Sequence, residues 1–222
     1  MNLTVQGERF RNSVNRFRPE RFAVSRSLAL FSAAIALCDD NHTEAAIRCG
    51  LEFGADRARL YEIVLQSYLF LGFPRMLAAA ECLDRAAPPP SACAAQPRFD
   101  PRETETWLQR GGDLCKKVYG RNYVALRDRV TAMAPEIFQW MVLEGYGKVL
   151  SRPGLDSADR ETAIVACLMM ENRASQLHSH LRGAINVGAP IELLSDVIAD
   201  IGDAAGDGYR EAVALMHKLD RR

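Results

Sequence analysis

The sequence has little that would build a sheet, a disulfide framework or a metal site. No segment alternates β-branched and polar residues for long enough to predict a strand. The six cysteines include no CxxC pair, and none stands at metal-ligand spacing with the four histidines. A disulfide framework is not expected for a chain of this size and pattern. We therefore expect neither a bound metal nor structural disulfides.

The chain also lacks net charge and an evident membrane segment. Lysine plus arginine and aspartate plus glutamate both total 28, so the overall charge gives no indication of nucleic acid. The N terminus lacks the basic-then-apolar layout of a signal peptide. No apolar run reaches the ~20 residues that cross a bilayer. These absences predict a cytoplasmic protein with neither nucleic acid nor a membrane as partner.

Apolar residues recur at spacings of three and four along most of the chain, which is typical of amphipathic helices. Gly54 and Gly188 are suited to end helices, and Asp56 is suited to cap the helix that follows Gly54. The pattern predicts an all-α protein, with helices at about 25–38, 42–53, 57–71, 74–86, 102–118, 121–132, 135–150, 157–171, 174–187, 191–204 and 208–220.

Residues 8–26 hold six arginines against two glutamates, with three phenylalanines between them. Such a segment could bind nucleic acid or an acidic membrane. No known nucleic-acid motif accompanies it. We therefore favour an arm that docks through its phenylalanines onto its own fold or onto a partner subunit.

An internal repeat is predicted at a shift of 134 residues, where IRCGLEFGA (47–55) aligns with LRGAINVGA (181–189). Two such units could pack about a pseudo-twofold axis, as a homodimer of single units would. Between them, residues 87–101 contain five of the ten prolines and cannot be helical. The predicted organisation is a basic arm (1–26), a degenerate repeat (27–86), a proline-rich linker (87–101) and a complete domain (102–222).

Three segments of the second half carry a family resemblance. RGGDLCKKVYGRNY (110–123), LSRPGLDSADRETAIVACLMM (150–170) and QLHSHLRGAINVGAPIELLSDVI (176–198) resemble the carboxymuconolactone decarboxylase family, which includes the alkylhydroperoxidase-like proteins. The resemblance covers about residues 102–220, and the N-terminal copy is similar only to the family core. It implies an alkylhydroperoxidase-like helical fold that assembles into homo-oligomers.

The resemblance implies two possible chemistries. The peroxidase branch of the family uses a glutamate, a CxxC with an internal histidine, and a final histidine. Glu161 and His180 match the glutamate and the final histidine, whereas Arg173 and Gln176 stand at the two cysteine positions. Thiol-based peroxide reduction by that route is therefore excluded, and the chain sides with the decarboxylase-like branch. The N-terminal copy has lost the pattern, since its corresponding residues are Ser27, Asp39, His42 and Ala46.

Arg173, Gln176 and His180 are spaced i, i+3, i+7, so one helix face is expected to present all three. His180 is the predicted acid/base and Glu161 its support. Gln176, Arg173 and Arg182 are the predicted binding residues for a small-molecule carboxylate substrate. A lactone carbonyl is itself an electron sink, so no cofactor is required.

The leading hypothesis is a cofactor-independent lyase that acts on a small carboxylated lactone. The alternative is a non-catalytic ligand-binding or assembly member of the family. In that case His180 would be a core histidine satisfied by Glu161 or by a backbone carbonyl, and Glu161 would interact with the helix macrodipole. A third option is a redox role for an isolated cysteine such as Cys167, which lies in the middle of an apolar helix.

Overall fold

The computed structural model describes residues 3–89, 100 and 102–220, and within these ranges it contains helices and no strand. The prediction of an all-α fold is thus confirmed. The α-helices are α1 Leu3–Arg16, α2 Ala23–Leu37, α3 Asp40–Glu52, α4 Arg57–Ala86, α5 Glu103–Tyr119, α6 Tyr123–Met133, α7 Pro135–Trp140, α8 Ser157–Met170, α9 Ala174–Val187, α10 Ile191–Ile201 and α11 Asp207–Asp220. A π-helix, Met141–Leu150, continues α7, and short 3₁₀ turns occupy Gly120–Asn122 and Gly202–Ala205.

The N-terminal arm forms helix α1, which the sequence patterns did not predict, and it packs on the rest of the chain. Phe10 and Phe17 are buried. Arg21 Nε lies 2.8 Å from Asp196 Oδ2 on α10. The helix was missed because only a narrow apolar stripe, with Phe10 and Val14 at its centre, interrupts an otherwise polar segment. In the structure the arm docks on its own fold, as the favoured interpretation predicted.

Helix α4 is interrupted at Gly72, where φ is 79° and ψ is 165°. Such a backbone conformation suits glycine, and Pro74 follows directly. The sequence predicted this interruption as a boundary between two helices. By length and composition, Arg57–Ala86 could cross a membrane, which the sequence analysis did not anticipate; 28% of its most apolar window is buried. A core helix passes the same test, so this property alone assigns no membrane location.

Helices α2 and α8 form the centre of the fold and pack closely against each other. Ala29, Ala33, Ala163 and Ala166 are fully buried. Small side chains allow the two backbones to approach, and the Ser32 hydroxyl donates a hydrogen bond to the carbonyl oxygen of Ala163 at 2.7 Å. Because α8 is central, almost every residue along it is buried, including Glu161 near its start.

A buried ion pair joins the first half of the chain to the second. Arg160 Nη2, on α8, lies 2.8 Å from Glu62 Oε2 on α4, and both side chains are buried. Arg160 Nη1 also donates to Gln66 Oε1 at 3.3 Å. Charges this deep require a partner, so the pair fixes α4 against α8.

A second ion pair also joins the two halves, but here the arginine belongs to the first half and the carboxylates belong to the second. Arg26, on α2, donates two hydrogen bonds to Asp200 on α10, each at 2.8 Å, and its Nη1 lies 3.5 Å from Asp196. Arg26, Asp196 and Asp200 each stand 134 positions from Arg160, Glu62 and Gln66 respectively. The same separation relates the residues with positive φ in three cases, which are Cys38 with Asn172, Gly54 with Gly188, and Gly72 with Gly206.

These correspondences agree with the predicted repeat, and the repeat with its pseudo-twofold relation remains a prediction. Most of the predicted linker, residues 90–99 and 101, lies outside the described residues. On either side of it, α4 ends at Ala86 and α5 begins at Glu103.

Candidate active site

Glu161 and His180 meet between two antiparallel helices. The turn between α8 and α9 places Asn172 at φ 52°, and it brings His180 Nδ1 to 2.7 Å from Glu161 Oε2. Their side chains are only 7% and 3% exposed. A carboxylate on Nδ1 fixes the ring orientation and favours the tautomer that carries its proton on Nδ1. The remaining ring nitrogen, Nε2, is then the one left to accept or deliver a proton at a ligand.

A glycine makes the space for this pair. A Cβ atom built on Gly183 would lie 2.9 Å from Glu161 Oε2 and 2.7 Å from Val118 Cγ1. Both contacts are shorter than a Cβ atom tolerates. Helix α9 can therefore pack against α5 and against the Glu161 carboxylate only because position 183 has no side chain.

His180 lines a cavity of about 350 Å³ whose walls are largely apolar and include five aromatic side chains. The Phe70 ring packs edge-on against the imidazole, with the ring centroids 5.4 Å apart. Apart from His180, the lining residues are Tyr68, Leu69, Phe70, Tyr119, Ile137, Trp140, Met141, Glu144, Gly145, Tyr146 and Leu150. No lysine or arginine is among the described residues that line it.

One carboxylate other than that of Glu161 belongs to this site. Glu144 lines the cavity and accepts a hydrogen bond from the Tyr68 hydroxyl at 2.9 Å. Burial, and then the hydrogen bond to Glu144, raise the pKa of the Tyr68 phenol above its ordinary value. Tyr68 is therefore protonated at neutral pH and acts as the donor that orients Glu144.

The π-helix supplies much of one wall. Met141, Glu144 and Tyr146 reach the cavity from it. The sequence predicted an uninterrupted helix at 135–150, whereas the structure has α7 followed by the π-helix. Over ten residues, α and π periodicities place apolar residues too similarly for the pattern to separate them. A π-helix at this point is consistent with a functional site, where such turns are frequent.

Helix α5 crosses this π-helix at two glycines. A Cβ atom on Gly111 would lie 2.0 Å from the carbonyl oxygen of Val142, and one on Gly147 would lie 2.1 Å from that of Trp107. The two backbones are thus in direct contact. This crossing sets the position of the wall that carries Glu144 and Tyr146.

Three residues predicted for the site do not line the cavity. Arg173 and Gln176 are exposed, so the structure does not assemble the predicted face of Arg173, Gln176 and His180 around a ligand. Arg173 precedes the first helical residue, with φ −99° and ψ 70°, and therefore departs from the helical spacing assumed for it.

Arg182 lies in a separate groove of about 270 Å³, together with His178 and Arg129. Residues two apart on a helix project about 200° from each other, which places Arg182 and His180 on different sides of α9. The expectation that Arg182 anchors a carboxylate beside His180 is therefore corrected by the helix geometry.

The sequence analysis also missed Tyr68, Phe70, Trp140 and Glu144. They come from α4, α7 and the π-helix, so no local motif contains them, and only the packing of those elements brings them to His180.

The cysteine alternative finds no support. Cys167 is buried within α8, and burial raises the pKa of its thiol well above the ordinary value. A thiolate is therefore unfavourable at neutral pH. Across the described ranges, histidine, cysteine, aspartate and glutamate side chains form no group of three or more that could hold a metal ion.

A comparison with protein families agrees with the earlier resemblance. Residues 135–218 match the carboxymuconolactone decarboxylase family, and the matched segment includes Glu161, His180 and the whole π-helix. A search of curated proteins finds no match. The similarity to the carboxymuconolactone decarboxylase family is thus located in residues 135–218, the segment that carries the Glu161–His180 pair.

Proposed function

We propose that the chain is a cofactor-independent acid/base catalyst, with His180 Nε2 exchanging protons with a small molecule in the aromatic cavity. The observation that carries the proposal is the 2.7 Å contact between His180 Nδ1 and Glu161 Oε2 at the wall of that cavity. A histidine held in this way is ready for general acid/base catalysis. Glu161 is the positioning residue.

The proposed reaction is the loss of a carboxylate next to a conjugated carbonyl, as in a carboxylated lactone. The bond from carbon to the carboxylate breaks, carbon dioxide leaves, and the electron pair moves onto the carbonyl oxygen. His180, protonated on Nε2, then returns a proton to carbon. Apolar walls favour this step because they exclude water from the reacting carboxylate, whose charge is localised. The developing enolate spreads its charge over several atoms and therefore loses less from the exclusion of water.

The residues that line the cavity restrict the class of substrate that it can bind. A carboxylate that the reaction retains would need a cationic anchor, and Arg173, Gln176 and Arg182 do not line the cavity. We therefore propose a compact, mainly apolar substrate, without a second carboxylate.

The second candidate function is ligand binding without turnover. It is favoured by the aromatic walls, which would hold an apolar ligand whether or not His180 reacts. In that case the Glu161–His180 pair serves only to pack α8 against α9.

We further propose that the first half of the chain is a diverged copy with a structural role. Ser27 and Ala46 stand where the second half has Glu161 and His180, and neither side chain can replace an imidazole and its carboxylate. The shared separation of 134 positions in the charged contacts supports this reading. Each chain would then hold one active site.

Homo-oligomer assembly and a cytoplasmic location also remain proposals. Large exposed apolar residues next to the cavity, among them Trp140 at 63% and Phe73 at 59%, support an interface on this face of the molecule.

The test combines a specific and a general assay. Release of carbon dioxide from a panel of unsaturated lactones that carry a single carboxylate measures the lyase reaction. Proton–deuterium exchange of a panel of small lactones and ketones, followed by NMR in D₂O, measures proton transfer at carbon for any substrate of the class. His180→Asn should abolish either activity, whereas His178→Asn, an exposed histidine two residues away, should retain it. Equal activity in wild type and His180→Asn, or none on any compound, would leave ligand binding as the function.

A further inference from the structure

We propose that His42 makes the docking of helix α1 sensitive to pH, so that α1 leaves its place on α3 when the imidazole becomes protonated. The proposal concerns the first half of the chain and is independent of the function proposed for the His180 cavity. It rests on a buried nitrogen of His42 that lacks a hydrogen-bond partner among the described residues and that α1 covers.

The two ring nitrogens of His42 have different surroundings. Nδ1 lies 2.7 Å from Asp39 Oδ1, and the same carboxylate oxygen accepts a hydrogen bond from the His42 backbone N–H at 3.0 Å. Nε2 is buried, and no described residue forms a hydrogen bond with it. The side chain as a whole is only 10% exposed. The ring is therefore held at one nitrogen by Asp39 and is buried without a partner at the other.

Helix α1 covers the edge of the ring that carries Nε2. A Cβ atom built on Gly7 would lie 3.0 Å from His42 Cε1 and 3.3 Å from Nε2, so the backbone of α1 passes directly over this edge. The Phe10 ring, one turn further along α1, packs edge-on against the imidazole with the ring centroids 6.1 Å apart. Undocking of α1 would therefore expose Nε2 to water.

Protonation of the ring changes the cost of docking. When the neutral ring carries its proton on Nδ1, docking deprives Nε2 of one hydrogen bond that it would accept from water. In the imidazolium ion Nε2 is a charged donor, and burying a charged group without an acceptor costs more than burying a neutral one. Asp39 caps the same helix as His42 and attracts the imidazolium whether α1 is docked or not, so it offsets little of this difference. The second proton therefore weakens the docking of α1.

Helix α4 does not supply the missing acceptor. Asp40 and Glu44, on the His42 helix itself, are both bound by Arg85 of α4, at 2.7 Å and 2.8 Å. Cys82 of α4 lies against the carbonyl oxygen of Asp40. Burial raises the pKa of the Cys82 thiol to about 11, so this group carries no charge at neutral pH. The carboxylates on this side of α3 are thus committed to Arg85.

The other two helices that pack on α3 leave Nε2 without an acceptor as well. From α1 the ring meets Gly7 and Phe10, neither of which titrates, and the four charged residues of α1 stand at exposed positions. The one charged residue of α2 is Arg26, which is paired with α10. Protonation of His42 therefore meets no compensating charge other than Asp39 among these elements.

Helix α1 can undock while the chain that follows it stays attached. A helix of 14 residues is marginal in water when isolated, so α1 depends on its contacts with the rest of the chain. Two of its hydrogen bonds are long, from Arg9 to the carbonyl oxygen of Asp203 at 3.2 Å and from Ser13 to that of Ile201 at 3.3 Å. Beyond α1, the ion pair of Arg26 with α10 holds the chain in place.

The experiment measures amide hydrogen exchange of the full chain at about pH 8 and about pH 5, the range in which histidine ordinarily titrates. Exchange rates are corrected for the intrinsic effect of pH. We expect the protection of the α1 amides to fall about tenfold at the lower pH, whereas the protection of the central helix α8 stays the same. Equal protection of α1 at both pH values, or an equal loss in α8, would overturn the proposal.

Three variants assign the effect to His42. His42→Phe keeps a ring against Phe10 but cannot titrate, so the protection of α1 should no longer depend on pH. His178→Phe alters an exposed histidine of the second half and should retain the dependence of wild type. Asp39→Asn keeps a good helix cap but cannot stabilise an imidazolium, so the loss of protection should move to lower pH. A His42→Phe variant that keeps the dependence, or an Asp39→Asn profile identical to that of wild type, would contradict the proposal.

Discussion

His180 Nδ1 lies 2.7 Å from Glu161 Oε2, although the two residues are 19 positions apart and occupy different helices. The contact holds an imidazole at the wall of an aromatic cavity with one nitrogen committed to the carboxylate. Which tautomer the ring adopts, and how firmly it is held, therefore depends on Glu161.

We expect Glu161→Gln to lower activity about 10- to 100-fold without abolishing it, the range seen when a carboxylate that supports a metal-binding histidine is removed. An amide can still accept a hydrogen bond from Nδ1–H, but it cannot stabilise an imidazolium. The measurement is the pH profile of kcat and KM. A change in KM alone, with kcat and its pH profile unchanged, would show that Glu161 does not act through His180.

The glycine crossing gives a prediction about stability. Gly111→Ala places a Cβ atom 2.0 Å from a backbone oxygen, which cannot move as a side chain would, so we expect a loss of about 3 kcal/mol or more in unfolding free energy. Urea unfolding followed by circular dichroism measures it. The neighbouring Gly112→Ala is the control, because its Cβ atom meets nothing within 4 Å and alanine favours a helix by roughly 1 kcal/mol. Similar stability in the two variants would contradict the close crossing.

Gly183→Ala tests the space behind the active site. Its Cβ atom would reach Glu161 Oε2 and Val118 Cγ1, so we expect a loss of about 1–3 kcal/mol in stability, together with a shift of the His180 ring resonances. NMR of the imidazole protons reports the displacement directly. Unchanged resonances would mean that the carboxylate accommodates the methyl group elsewhere.

The buried ion pair predicts a pH dependence of folding. Burial raises the pKa of Glu62, but hydrogen bonds from Arg152 and Arg160 outweigh burial and hold that pKa below its ordinary value of 4.5. A depressed folded pKa contributes stability above pH 4.5, and this contribution is lost as the pH falls from 4.5 through the lowered value. Wild type should therefore lose stability on acidification within that window.

Glu62→Gln removes this contribution and leaves the buried Arg160 unpaired. We expect a loss of about 3–5 kcal/mol at pH 7 and a shallower decline of stability below pH 4.5. Urea unfolding at a series of pH values measures both effects. Glu81→Gln, at an exposed position of the same helix, should change neither. An acid slope in Glu62→Gln equal to that of wild type would contradict the assignment.

Much of the helical framework could be predicted from the sequence, because helix ends are marked by local chemistry. Asp56, for example, caps α4 with its side chain, and Gly188 ends α9 at φ 105°. Helix α1 could not be predicted, since few apolar residues mark it and its stability comes from tertiary contacts.

The active site could be predicted only where a family motif carries it. Glu161 and His180 occupy two positions of a recognisable pattern, and the structure places them in contact. Glu144 and Tyr68 belong to no pattern and meet because α4 and the π-helix pack together. Arg182 was misplaced because proximity in sequence on one helix does not mean proximity in space when two residues are about 200° apart.

The charged contacts between Arg160 and Glu62 and between Arg26 and Asp200 have a consequence for how such a chain can evolve. Each half supplies the cation for which the other half holds the acceptor. A fragment ending after α4 would contain Glu62 without the arginine that pairs with it. A fragment beginning at α5 would contain Arg160 without its carboxylate partner. We therefore expect that replacing one half with that of another protein preserves folding only if the complementary charges are replaced together.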